Sequence, residues 1–169
     1  GNDLKFQLER VESARNFANK LWNASRFVIM GLEGELEGFD GSEEMTLADK
    51  WILSRLETMK AEITTALEKY ELGIAANKIY EFTWNEYCDW YIELAKKRLY
   101  GEDLAAKKTV QKVLVKVLKD ILRLLHPFMP FITEEIRGFM PNTSGLLVTD
   151  VWPTAEAELS NPEAEMEMD

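Results

Sequence analysis

Residues 104–126 read LAAKKTVQKVLVKVLKDILRLLH, and the placement of their apolar members decides the fold. Val110, Val113, Leu114, Val117, Leu118, Ile121 and Leu125 recur at intervals of three and four, which puts them on one face of an α-helix. The other face carries Lys108, Lys112, Lys116, Lys119 and Arg123 at steps of four, four, three and four. A helix with so complete an apolar face must bury it against other elements, and a bundle of helices is the natural partner. Pro127 and Pro130 are expected to end the helix, because proline removes an amide donor and clashes with the preceding turn. His126, the only histidine, closes that end, where an imidazole can meet free carbonyls.

Upstream, the same periodicity recurs. Residues 74–99 carry Ile79, Phe82, Tyr87, Trp90, Tyr91 and Leu94, predicting a third helix with Gly73 before it and Gly101 after it. Thr46-Leu47-Ala48-Asp49 has the pattern of a capping box ahead of Trp51, Leu56, Met59, Ile63, Leu67 and Tyr70, so a second helix starts there. Over residues 8–29, Ala14, Phe17, Ala18, Leu21, Trp22, Ser25, Val28 and Ile29 gather on one face of a first helix. Between these two helices, residues 31–44 hold four of the nine glycines and read as a loop with Phe39 its lone aromatic.

Downstream, Thr133-Glu134-Glu135 opens a short fifth helix, and Leu146 to Pro153 reads as a short extended C-terminal arm. The fold class is therefore all-α: four long helices and a short fifth over residues 1–141, an arm over 142–153, and an acidic tail over 154–169 that is expected to fray. The five tryptophans (Trp22, Trp51, Trp84, Trp90, Trp152) are assigned to the core, with Trp84 or Trp90 reaching the surface.

The 169 residues carry a net charge of −10, with 46% hydrophobic residues, enough for one buried core. The acid is unevenly placed: residues 31–49 and 154–169 contain no base, whereas residues 96–123 hold nine bases against three acids. A basic surface is therefore available locally. A single cysteine, Cys88, forms no intrachain disulfide and no Cys-based zinc site, which points to a reducing, cytoplasmic setting. No apolar run approaches a membrane span, and no catalytic or metal-ligand residue is assigned. One histidine excludes paired-histidine motifs, and no phosphate-cradling glycine loop occurs. The pairs Glu43-Glu44 and Glu134-Glu135 read as solvated.

Two stripes remain as candidate sites. On the first helix Arg15, Asn19, Asn23 and Arg26 lie within about 80° of arc. Guanidinium and amide groups read base edges, and each asparagine costs the helix about half a kcal/mol against alanine. With Phe39 as a stacking platform this face suits splayed RNA bases; its alternative use is to satisfy neighbouring loops. The stripe from Lys108 to Arg123 is either a solvated face or a weaker set of contacts to RNA phosphates.

Residues 13–27 (SARNFANKLWNASRF), 47–56 (LADKWILSRL), 80–84 (YEFTW), 88–96 (CDWYIELAK) and 125–136 (LHPFMPFITEEI) closely resemble the anticodon-binding domain of valyl-tRNA synthetases. The likeness covers roughly residues 2–153 in order and spacing. The last block is shared with isoleucyl, leucyl and methionyl enzymes; the Cys-Asp-Trp-Tyr and Asn-Lys-Leu-Trp-Asn blocks point to valine. Arg137 departs from the aromatic usual in the family at that point, which bears on the packing of the fifth helix.

The resemblance implies a helix bundle that binds the anticodon arm of valine tRNA. Recognition would fall to Arg15, Asn19, Asn23, Arg26 and Phe39. ATP with Mg would serve the parent enzyme's other domains, and no cofactor is expected in this piece, which lacks the family's two-histidine motif and Lys-Met-Ser-Lys-Ser loop. Residues 2–6 resemble the entry from a catalytic domain, and the acidic tail resembles the approach to a C-terminal coiled coil. A monomer is expected. The alternatives are the anticodon-binding domain of a related isoleucyl, leucyl or methionyl enzyme, and a helical protein-interaction domain without an RNA role.

Overall fold

The computed structural model describes residues 2–32, 35–141 and 159–168, and among them every regular element is helical. In chain order these are α1 (Asn2–Met30), α2 (Leu47–Glu68), α3 (Leu72–Glu81), a π-helical segment (Phe82–Ile92), α4 (Glu93–Leu99), α5 (Leu104–Leu125), α6 (Pro130–Arg137) and α7 (Pro162–Met168). The predicted arm at 142–153, with Trp152, lies outside the described residues, as do Glu33, Gly34 and residues 154–158.

The apolar face of α5 is the centre of the molecule. All seven of its predicted inward residues are buried, against Leu21 of α1, Ile52, Leu56 and Ile63 of α2, and Ala75 and Ile79 of α3. Full burial of each large aliphatic side chain contributes about 1.5–3 kcal/mol. Thr46 caps α2 as the sequence predicts, its hydroxyl accepting from the Asp49 amide at 3.3 Å while its own amide donates to the Asp49 carboxylate at 3.0 Å.

Asp49 does more than close that box. It is fully buried, receives Tyr91 Oη at 2.5 Å and pairs with both guanidinium nitrogens of Arg98, Nη1 lying at 2.8 Å. The start of α2 is thus tied to the π-helical segment and to α4. Burial pushes the Tyr91 hydroxyl well above its usual range, reinforced by the Asp49 charge.

Several boundaries differ from the sequence reading, each for a physical reason. The second helix stops at Glu68 rather than at Gly73; Tyr70 takes φ 59 and closes the end, with the Glu71 amide donating to Ala66 O at 2.9 Å. Gly73 sits inside α3 instead. The third predicted helix is one helical run from Leu72 to Leu99 with its middle π-wound, which an analysis at 100° per residue does not anticipate. Tyr87 Oη donates to Leu114 O at 2.8 Å from this segment, and Trp90 faces outward with 53% exposure. Cys88 is buried there, and burial raises its thiol to about 12.

Pro130 begins α6 rather than ending α5, as its fixed φ suits a first helical turn. Thr133 therefore lies within α6, and its hydroxyl donates to Met129 O at 2.8 Å. His126 Nδ1 stands 3.1 Å from Thr133 Oγ1. The imidazole thus meets a side-chain hydroxyl of the next helix, not the carbonyls expected. Arg137, the family departure, is buried in α6.

The described part of the acidic tail, residues 159–168, is ordered rather than frayed. Residues 162–168 form α7 against α2: the Asn161 side chain caps Ala164 N at 3.0 Å, Ala164 is buried, and Glu165 accepts from Ser54 Oγ at 2.9 Å and Arg55 Nη1 at 3.2 Å. An acidic segment orders here because α2 offers it a hydroxyl and a guanidinium.

Candidate nucleic-acid interface

The first stripe is positioned by burial on the opposite side of its helix. Phe17, Leu21, Ser25 and Val28 turn α1 toward the core, which leaves Arg15, Asn19, Asn23 and Arg26 exposed along the outer face. Among the described residues Arg15, Asn19 and Asn23 make no side-chain hydrogen bond or ion pair, and Arg26 Nε reaches Met30 Sδ at 3.4 Å, one turn away. Among the described residues the amides have no loop partner. Three donors and acceptors of this kind, left unused on one rigid helix, form a surface that can hydrogen-bond an incoming polar edge without breaking an internal contact.

The second stripe has a different setting. Lys116 Nζ lies 2.8 Å from Asp120 Oδ2, and Arg123 Nη1 lies 3.5 Å from Asp120 Oδ1. Asp120 is buried and also receives Lys60 Nζ of α2 at 2.7 Å. Lys60, only 1% exposed, bonds in turn to Glu57 Oε1 at 3.0 Å. Two cationic members of the stripe thus belong to an ion-pair cluster joining α2 to α5.

Lys112 lies 3.6 Å from Glu43, whose carboxylate also accepts the amides of Asp40 and Gly41 at 3.2 and 2.9 Å. Glu43 is consequently not solvated as the sequence suggested; its side chain is 5% exposed, while Glu44 is exposed. Of the second predicted pair, Glu134 is half-buried and Glu135 exposed. Lys119 is half-buried, and Lys108 stands exposed at the start of the row.

Phe39 joins the second stripe. It is half-buried and lines a cleft with Leu36, Val115 and the stems of Lys112, Lys116 and Lys119. The loop that carries it is held over α5 by Gln111 Nε2, which donates to Gly31 O at 2.9 Å.

Sequence reasoning missed the aromatic surface beside the first stripe. Trp22 meets Phe139, just beyond α6, edge-to-face with ring centroids 6.4 Å apart. Trp22 is half-buried and packs against the core as the sequence predicts, and its rotation about α1 also places it between Arg15 and Ile29, a position that could have signalled the association. On the far side of α1, Lys20 covers the Trp84 ring at 4.4 Å and pairs with Asp89. Among the described residues no three His, Cys, Asp or Glu side chains cluster as a metal site, and no helix is long and apolar enough to cross a membrane.

The model of the anticodon-binding domain of tRNA ligases matches residues 49–169. Curated relatives include the valine–tRNA ligases of Carboxydothermus hydrogenoformans, 54% identical over 168 residues, and of Clostridium acetobutylicum, 52% identical over 169 residues. Each alignment takes in 99% of this chain, which spans 19% of the length of those relatives. Among solved structures, the agnB2 LeuRS of Agrobacterium radiobacter K84, in a ternary complex with tRNA and LeuAMS, superposes with a TM-score of 0.66 at 19% identity. That superposition covers 88% of this chain and 17% of the other, a likeness of fold. An α-helical bundle with this sequence, matched by the family model over residues 49–169 and by valine–tRNA ligases along nearly its whole length, belongs to the anticodon-binding domain family of tRNA ligases.

Proposed function

We propose that this chain is the module of a valine–tRNA ligase that holds the anticodon arm of valine tRNA, with Arg15, Asn19, Asn23 and Arg26 of α1 facing the bases. The observation that carries this reading is the row of exposed guanidinium and amide groups, of which Arg15, Asn19 and Asn23 have no partner among the described residues, on a helix whose asparagines lower its own propensity. Phe39 and the exposed Lys108 offer secondary contacts, the lysine through phosphate neutralisation.

In the parent enzyme, activation and transfer of valine would use ATP with Mg in other domains, in the cytoplasm. The first three turns of α1 suit contact with such a domain. Leu4, Leu8 and Val11 are each more than half exposed on one face of α1, an apolar row that a soluble monomer would cover, and Phe6 is equally exposed on the opposite face.

The test is a titration of the chain with valine tRNA transcript and with a transcript of altered anticodon, at low and moderate salt. Tighter binding of the unaltered transcript, persisting as salt is raised, supports the reading, because base contacts discriminate and phosphate contacts do not. Equal affinity for both transcripts overturns it.

A further inference from the structure

A helix face of amides and guanidiniums reads the edge of an unstacked base but gives its ring nowhere to rest. The fold supplies that place immediately beside the stripe. Trp22, Ile29, Ile136 and Phe139 wall a cleft of about 230 Å³ between α1 and the end of α6, and Ser25 and Arg26 are the polar side chains that line it. Pockets for drug-sized ligands run to about 300–1,000 Å³, so this one has room for a single small planar group.

The Ser25 side chain is 1% exposed, and its Oγ has no hydrogen-bond partner. A serine buried in a helix ordinarily bonds back to a carbonyl one turn earlier, and leaving such a hydroxyl unpaired is costly. Because a hydroxyl can donate or accept, it can serve either kind of base edge. Arg26, exposed at the rim, belongs to the same stripe as Arg15 and Asn19.

From this arrangement we infer that the cleft takes one unstacked nucleobase of the RNA lying along α1, its ring against Trp22 and Phe139 and its edge on the Ser25 hydroxyl. The inference rests on the RNA-binding reading of α1 given above. Arg26 closes the rim with its guanidinium plane or its charge on the adjoining phosphate.

The experiment uses the whole chain and a synthetic anticodon stem-loop of valine tRNA in which each loop base in turn is replaced by 2-aminopurine. One loop position is expected to lose fluorescence on binding, through stacking on the indole, and to keep its fluorescence with Trp22→Leu. Ser25→Ala is expected to weaken binding about tenfold while leaving the unfolding midpoint unchanged or raised, since it deletes an unpaired buried hydroxyl. A purely structural serine would not separate those two readouts. If Ser25→Ala and Phe139→Leu bind as the unsubstituted chain does while Arg15→Ala weakens binding, the cleft assignment is wrong and the RNA reading stands. If Arg15→Ala also leaves affinity unchanged, both fall.

Discussion

The polar faces of α1 and α5 are written alike, with cationic or amide side chains every three or four residues, and the folded chain uses them in opposite ways. On α5, Lys116 and Arg123 turn onto Asp120 and, through it, onto the buried Lys60 of α2, so part of this face helps to hold two helices together. On α1, Arg15, Asn19 and Asn23 engage no partner among the described residues. The difference lies in what each helix face meets. A basic row becomes structural where a buried carboxylate lies within reach, and stays available where only solvent faces it.

The largest effect that would break this comparison is expected at Asp120. Asp120→Ala removes a carboxylate partner from the buried Lys60 and should cost about 3–5 kcal/mol in urea unfolding. A loss under about 1 kcal/mol would mean that the cluster is solvated and that the α5 row is as available as that of α1.

Next in size, replacing Arg15 and Asn19 together by alanine should weaken binding of valine tRNA by at least about tenfold, the range of one or two lost base contacts, with stability within about half a kcal/mol of the parent. Stability loss without affinity loss would reverse the assignment. The smallest effect sharpens the contrast: Asn23→Ala should stabilise the chain by about half a kcal/mol, because asparagine is the poorer helix former and its amide has no partner to lose. Thermal unfolding resolves that gain, and a loss instead would reveal an internal role for the amide.

The apolar rhythm made the bundle legible. The inward set of α5 and the Thr46–Asp49 capping box stand where the sequence put them, because both are local consequences of spacing. What was hidden depends on partners far along the chain. A lysine at position 60 reads as surface until Asp120, sixty residues on, is brought beneath it. The acidic helix α7 reads as a loose end until Ser54 and Arg55 receive Glu165. The four polar members of the α1 stripe were legible as a face, but Phe139 was not, since it enters from the opposite end of the sequence to meet Trp22.

The π-wound stretch from Phe82 to Ile92 also sets the tolerance of the chain to changes in length. Removing one residue there without rewinding the remainder would turn everything downstream by about 100° about the axis. Arg98 would then swing off Asp49, and the capped start of α2 would lose its latch. This segment therefore acts as a phase-setter: substitutions within it can be conservative in chemistry, whereas a single-codon deletion would dismantle a junction six or more residues away.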